Sequence, residues 1–274
     1  AVMVGTADHT HAPAAAMAMR MGKHVYCEKP LTHTVYEART LANLAKEHKL
    51  VTQMGNQIHS SENYRKVVEL IKAGAIGQVR EAKVWVTAKY SGGKFTTGTQ
   101  PPAGLDWNLW LGPAPERPYS EDVHPFQWRK FWDYGTGALG DFGCHYMDLV
   151  HWALDLRAPT AVEAEGPPYD PVSTPAWCIA KYEYPSRGQQ PPVRLTWYDS
   201  ELKPVLAGNL KVNGKPLTEV FKSGQLFIGS EGMLVSDYNK HFLLPEDKFA
   251  GYKAPEPSIP RSPGHHREWV EAIK

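Results

Sequence analysis

Over its first seventy-odd positions the chain alternates short apolar runs with longer stretches whose apolar residues recur every three or four places. The runs, Ala1 to Val4, Val25 to Cys27 and Val51 to Met54, have the length and composition of buried strands, and the stretches between them predict helices. The first helix is expected to begin after His11, with Pro13 in its first turn, where a missing N–H costs nothing, and to end before Gly22. A second is expected from Thr34, where Glu37 three residues on completes a capping-box spacing, burying Ala38, Leu41, Ala42 and Ala45. A third, from Ser60 or Ser61 to Gly74, carries Tyr64, Val67, Val68 and Ile71 on one face. Strands alternating with helices imply βαβ units and a parallel sheet, about half of a doubly wound dinucleotide-binding domain over residues 1–77.

Near residue 78 the period changes. Ala82, Val84, Val86 and Ala88 alternate with Glu81, Lys83, Trp85 and Thr87, the pattern of a strand buried on one face. Similar runs recur at Thr160 to Glu165, Trp177 to Tyr184, Val193 to Tyr198, Leu226 to Gly229 and Met233 to Ser236. Strands without helices between them predict a mostly antiparallel sheet, so residues 78–274 read as an α+β domain. Between the first two of these strands lies a Pro- and Trp-rich stretch, Thr97 to Trp132, too long for a plain connection and expected to be a structured loop. Its Trp107, Trp110, Trp128 and Trp132 are read first as packing residues and second as platforms for a sugar ring.

Composition sharpens this division. Of 23 prolines only Pro13 and Pro30 precede residue 100, and all 9 tryptophans lie from Trp85 onward. With 30 Lys and Arg against 29 Asp and Glu, the net charge of +1 argues against a nucleic-acid or membrane-surface protein. No apolar run approaches the roughly 18 residues of a membrane span. The three cysteines, Cys27, Cys144 and Cys178, show no paired spacing that suggests a disulfide framework or a metal site.

Ligands of doubly wound sheets bind at the carboxyl ends of the strands, and here each strand runs into a polar cluster: Gly5-Thr6-Ala7-Asp8-His9, Glu28-Lys29-Pro30 and Gly55-Asn56-Gln57. One formal Gly-x-Gly-x-x-Gly exists, Gly135 to Gly140, but aromatic and charged residues precede it where a phosphate-cradling loop needs a buried strand. The helix expected from Leu139 to Leu154 is more informative. Phe142, Leu149, Val150, Ala153 and Leu154 give it an apolar face, while Asp141, His145, Asp148 and Trp152 recur at helical spacing on another. A carboxylate beside a histidine suits a general base accepting a hydroxyl proton; from the helix alone, a dipole-serving acid and a structural histidine is the more economical reading.

The run Gly22-Lys23-His24-Val25-Tyr26-Cys27-Glu28-Lys29-Pro30-Leu31 resembles the Gfo/Idh/MocA family, whose hallmark is Glu-Lys-Pro at a strand end. Gly5 to His11 is similar to the family's loop after the fourth Rossmann strand, and Asp141 to Asp148 to the Asp-x-x-x-His-x-x-Asp pattern of its inositol dehydrogenase-like members. The resemblance extends over nearly the whole chain. It implies that more strands and the glycine-rich turn precede Ala1, and that a C-terminal stretch follows the helix at His265 to Lys274, so the chain is expected to be a fragment.

The resemblance further implies an NAD- or NADP-dependent oxidoreductase taking a hydride from a secondary hydroxyl of a sugar, glycoside or cyclitol, and a homo-oligomer formed through the C-terminal sheet. His145 becomes the expected base, oriented by Asp141, with Lys29 donating to the developing alkoxide or itself taking the proton. Thr6, Asp8, His9, His11, Glu28, Lys29, Asn56 and Gln57 are the cofactor-side candidates. Lys29, Asp141, His145, Arg129, His124 and Tyr90 are the substrate-side candidates, and no metal is expected. Two alternatives stay open: glycoside cleavage through transient oxidation, using the same Lys29 and His145, and a fragment that assembles without catalysing. Compartment is open between cytoplasm and, with an export signal ahead of Ala1, periplasm.

Overall fold

The computed structural model describes residues 1–96, 100–205 and 209–274, so Thr97 to Thr99 of the long loop lie outside the described residues. Strands β1 (Val2–Val4), β2 (Val25–Glu28) and β3 (Thr52–Gly55) form a parallel sheet in the order β1-β2-β3. Helices α1 (Asp8–Arg20) and α2 (Val35–Glu47) cover one face through Ala15, Met19, Leu41 and Leu44. At α2 the Thr34 hydroxyl accepts from the Glu37 amide while the Glu37 carboxylate accepts from the Thr34 amide, a complete capping box. Of the positions expected to be buried along this helix, Leu41 is buried, Ala38 and Ala45 are half-buried, and Ala42 is exposed; Leu44 takes its place.

Helix α1 starts four residues earlier than expected. Thr6 and Ala7 are extended or turning, and Asp8 opens the helix, where an acidic side chain complements the helix dipole. Asp8, His9 and His11 are therefore helical and buried rather than loop residues, and Pro13 lies beyond the first turn.

Helix α3 (Glu62–Lys72), capped by the Ser61 hydroxyl, packs Tyr64, Val67, Val68 and Ile71 into the core of the second sheet rather than onto the first. By packing, the division between layers falls at the short 3-10 turn Gln57–Ser60, before residue 77. The last helix, α7 (His265–Ile273), returns to the parallel sheet: the Trp269 ring lies 5.8 Å from that of Tyr26 on β2, and its indole N–H points to the Val51 carbonyl at 3.5 Å.

The larger sheet is seven-stranded. After β4 (Val79–Trp85) come β5 (Ala161–Glu165), β6 (Ile179–Tyr184) and β7 (Val193–Tyr198), then a small hairpin of β8 (Lys211–Val212) and β9 (Lys215–Pro216), and finally β10 (Gly224–Gly229), β11 (Met233–Ser236) and β12 (His241–Leu244). Its order is β12-β11-β10-β4-β7-β6-β5; β4 and β7 run parallel and every other pairing is antiparallel.

Helix α3 and the long α5 (Gly137–Leu154) cover one face of this sheet. On the other, Trp85 is fully buried against Val212, Leu217 of the short helix α6 (Leu217–Val220) and Phe221, donating its indole N–H to the Phe221 carbonyl. Trp85 thus leaves the polar set to which alternation assigned it, because a segment some 130 residues later folds over it. The rest of that face, around Lys83, Glu163, Lys181, Glu183 and Arg194, is open and charged. The long loop carries α4 (Trp107–Leu111) and packs Leu111, Val123, Trp128, Phe131 and Tyr134 into a core of its own.

Candidate active site

The end of β2 delivers Glu28 and Lys29, the N-terminus of α1 delivers Asp8, and the first turns of α5 bring Asp141 and His145 to them. Lys29 Nζ lies 2.6 Å from Asp141 Oδ1 and donates to the Asp141 carbonyl at 3.1 Å. Arg129, from a 3-10 turn in the long loop, donates Nε to the same Oδ1 at 3.1 Å. Asp141 is 3% exposed, and its carboxylate contacts both of these cations. The Arg129 guanidinium is clasped between rings, 4.1 Å from Trp128 and 4.7 Å from Phe126, with Tyr90 at 5.7 Å. Tyr90 stacks in turn on Phe142 of α5. Lys29, Asp141, Arg129 and Tyr90 thus form one connected set.

Asp8 joins them electrostatically. It is 2% exposed and its Oδ2 has no partner among the described residues. Burial and the nearby Asp141 charge push it up to about 7, against the opposing pull of Arg129 and Lys29. His145 moves the other way: burial and the Lys29 charge push it down to about 4, which keeps the imidazole neutral and able to accept a proton. Asp141 does not touch its ring. The carboxylate is taken by Lys29 and Arg129, and His145 Nδ1 has no partner among the described residues. The expected Asp141-to-His145 orienting bond is replaced by an ion pair across the two layers.

Glu28 and Gln57 meet, the amide donating to both carboxylate oxygens at 3.0 and 3.1 Å and to the Tyr26 hydroxyl at 3.0 Å. Gly55 makes room for this: a Cβ there would press into the Glu28 carboxylate and lie 2.9 Å from its Cα. Asn56 opens the turn that follows β3, and Thr6, which is exposed, receives the Thr10 hydroxyl. His11 is buried with its ring nitrogens facing the Pro30 and Thr6 carbonyls at 2.8 and 2.9 Å, a tie between two loops. His9 is buried against Trp110 and Tyr134. His124 packs perpendicular to Trp110 inside the loop's own core, apart from the Lys29 cluster. The loop tryptophans are packing residues: Trp107 stacks on Trp110, Trp128 lies under Arg129, and Trp132 donates to the Asp170 carbonyl.

Further along α5, Asp148 accepts from His59 at 2.8 Å, and the His59 ring stacks on Trp152. Spacing pointed to Asp148 and Trp152 but carried no signal for His59. A groove of about 570 Å³ runs beside this face, lined by Pro30, Thr34, Met54, Gly143, Met147 and Asp148. The Gly135 to Gly140 run follows a 3-10 turn and an isolated bridge at Phe131, not a parallel strand, and opens α5. Among the described residues no group of three or more metal-ligating side chains occurs.

A parallel sheet ending in an acid–lysine pair is thus faced by a helix bearing an aspartate and a histidine. Residues 1–56 match the oxidoreductase family's NAD-binding Rossmann fold and residues 64–190 its C-terminal α/β domain. The chain belongs to the Gfo/Idh/MocA oxidoreductase family. It is 34% identical over 162 residues to a 1,5-anhydro-D-fructose reductase of Ensifer adhaerens, covering 59% of this chain and 40% of that one. To a levoglucosan dehydrogenase of Pseudarthrobacter phenanthrenivorans it is 24% identical over 174 residues, covering 63% and 38%. The chain thus spans less than half the length of these relatives. The fold is shared with an oxidoreductase from Thermotoga maritima (TM-score 0.57, 17% identity, covering all of this chain and 73% of that one). It is shared too with an inositol dehydrogenase homolog from Azotobacter vinelandii complexed with NADH and myo-inositol (TM-score 0.53, 19% identity, covering 98% and 62%).

Proposed function

We propose that the chain carries the substrate side and the nicotinamide end of an NAD(P)-dependent dehydrogenase acting on a secondary hydroxyl of a sugar, glycoside or cyclitol. The observation that carries this reading is the 2.6 Å contact between Lys29 and Asp141, which sets an ammonium at the carboxyl edge of the parallel sheet one helical turn from a neutral, half-buried histidine. Lys29 donates to the substrate hydroxyl and stabilises its developing alkoxide charge, and His145 takes the proton. Asp141 and Arg129 hold Lys29 in place. The dinucleotide, when bound, accepts the hydride.

The residues present fit the nicotinamide end of such a cofactor. Asp8 brings a buried carboxyl oxygen with no partner among the described residues to the same end of the sheet as Lys29, and Thr6 and Asn56 stand at the neighbouring strand ends. The one glycine-rich run of the chain has the wrong setting for a pyrophosphate. The open, charged half of the larger sheet is the surface through which we expect copies of the protein to associate.

The test is turnover by the full-length polypeptide, with NAD and NADP, of a panel of anhydrosugars, glycosides and inositols. Reduced cofactor formed by wild type and lowered at least about 100-fold in Lys29→Ala and in His145→Ala supports the assignment. Near-wild-type rates in both variants would remove it.

A further inference from the structure

His145 lacks the carboxylate contact that fixes the ring of a typical histidine base, yet two observations show that its surroundings are built. The Tyr64 hydroxyl donates to the His145 carbonyl at 2.9 Å and receives Gln225 Nε2 at 2.7 Å; that amide also donates to the Tyr146 carbonyl at 3.2 Å. Tyr64 and Gln225 are fully buried, so this turn of α5 is anchored from beneath.

Above the turn stands Tyr238. Its ring stacks on Tyr146 at 4.5 Å and meets the His145 imidazole edge-on at 6.1 Å. The loop that presents it is tied down: the Asp237 carboxylate accepts from the amides of Asn239 and Lys240, and Asn63 donates to the Asp237 carbonyl. The buried Tyr238 hydroxyl lies beside that of Tyr146 but makes no well-aligned hydrogen bond among the described residues, and neither does Nδ1 of His145. Two orphaned polar atoms on neighbouring rings, each costly to leave unpaired, are complementary in hydrogen-bonding capacity.

We propose that Tyr238, rather than Asp141, sets the tautomer of His145: the phenol oxygen accepts the Nδ1 proton through one water, so that Nε2 carries the lone pair offered to substrate. The charged groups around the ring are Lys29 and Glu28 from the end of β2 and Asp141 and Asp148 from α5. Asp141 is occupied by Lys29 and Arg129, and Asp148 by His59. Tyr238 is thus a positioning residue, acting through the imidazole.

The consequence for turnover rests on the reading of His145 as the base, but the tautomer itself is measured without substrate. Long-range 1H–15N spectra of the full-length polypeptide, with the His145 signals assigned by their loss in His145→Gln, report which ring nitrogen holds the proton. Wild type is expected to show the Nδ1–H form. Tyr238→Phe, which keeps the stacked ring, should move the ratio roughly tenfold toward Nε2–H, the worth of one net hydrogen bond. In Asp141→Asn the Nδ1–H form should persist. An unchanged ratio in Tyr238→Phe overturns the proposal. A shifted ratio with unchanged kcat and an unchanged pH profile supports Tyr238 as the positioning group and removes His145 as the base. A shifted ratio with kcat lowered about tenfold or more at similar KM supports both.

Discussion

Lys29 and Asp141, 112 residues apart in sequence, meet at 2.6 Å where the parallel sheet faces the long helix of the second layer. Neither layer holds the pair alone. It therefore fastens the layers together as well as standing at the proposed chemical centre, and the two roles separate by experiment. Asp141→Ala strands two partly buried cations, Lys29 and Arg129, and should cost about 2–3 kcal/mol in urea denaturation. Lys29→Met removes one cation while leaving Asp141 with Arg129, and should cost less than half as much. Both should lower kcat at least about 100-fold.

Asp8 and His145 predict opposite pH dependences. Asp8, raised from 3.8 to about 7, favours the folded state fully only below about pH 4, so its contribution falls as pH rises from 4 to 7. His145, lowered from 6.5 to about 4, favours the folded state above pH 6.5, and that contribution is lost as pH falls toward 4. Across pH 4 to 6.5 the two slopes oppose each other, each at most on the order of 1.4 kcal/mol per pH unit. In thermal melts Asp8→Asn should become more stable with rising pH over this window, and His145→Gln less stable. Parallel slopes in the two variants would contradict both shifts.

Gly55→Ala tests the Glu28 pocket. The new methyl group would displace the Glu28 carboxylate and break its contact with Gln57, at a cost of about 1–3 kcal/mol. Gly74, at a helix end with φ +77 and open space around it, is the control. Gly74→Ala should lose about 1 kcal/mol from backbone strain alone and leave cofactor affinity, measured calorimetrically in the full-length polypeptide, unchanged.

Glu69 is 5% exposed and holds the segment that leads into α7. Its Oε1 accepts from the amides of Ser258 and Ile259 at 2.8 and 2.9 Å, and Oε2 from Arg261 at 2.9 Å. Glu69→Ala should cost about 2–3 kcal/mol and speed amide exchange at Ser258 and Ile259 at least about tenfold, while amides in β6 and β7 keep their protection.

Much of this was legible in the residues. The capping box at Thr34 and Glu37, the buried face of Tyr64, Val67, Val68 and Ile71, and the helical spacing of Asp141 and His145 are local patterns, and local patterns survive folding. What escaped was set by distant segments. Nothing near Trp85 announces that Leu217 and Phe221 cover it, and nothing within α3 says which sheet it packs on. His241–Leu244 is one polar residue followed by three apolar ones, with no alternation to mark it as a strand. Tyr238 sits in a four-residue turn with no periodicity, so its place beside His145 follows only from the pairing of β11 with its neighbours.

Because α7 returns to Tyr26 after the second sheet is complete, the polypeptide passes between layers twice, once at Gln57–Ser60 and again through the segment that Glu69 pins. The cleft where Lys29 meets Asp141 is thus flanked by two covalent passages, and a single proteolytic cut at either one leaves the layers joined through the other.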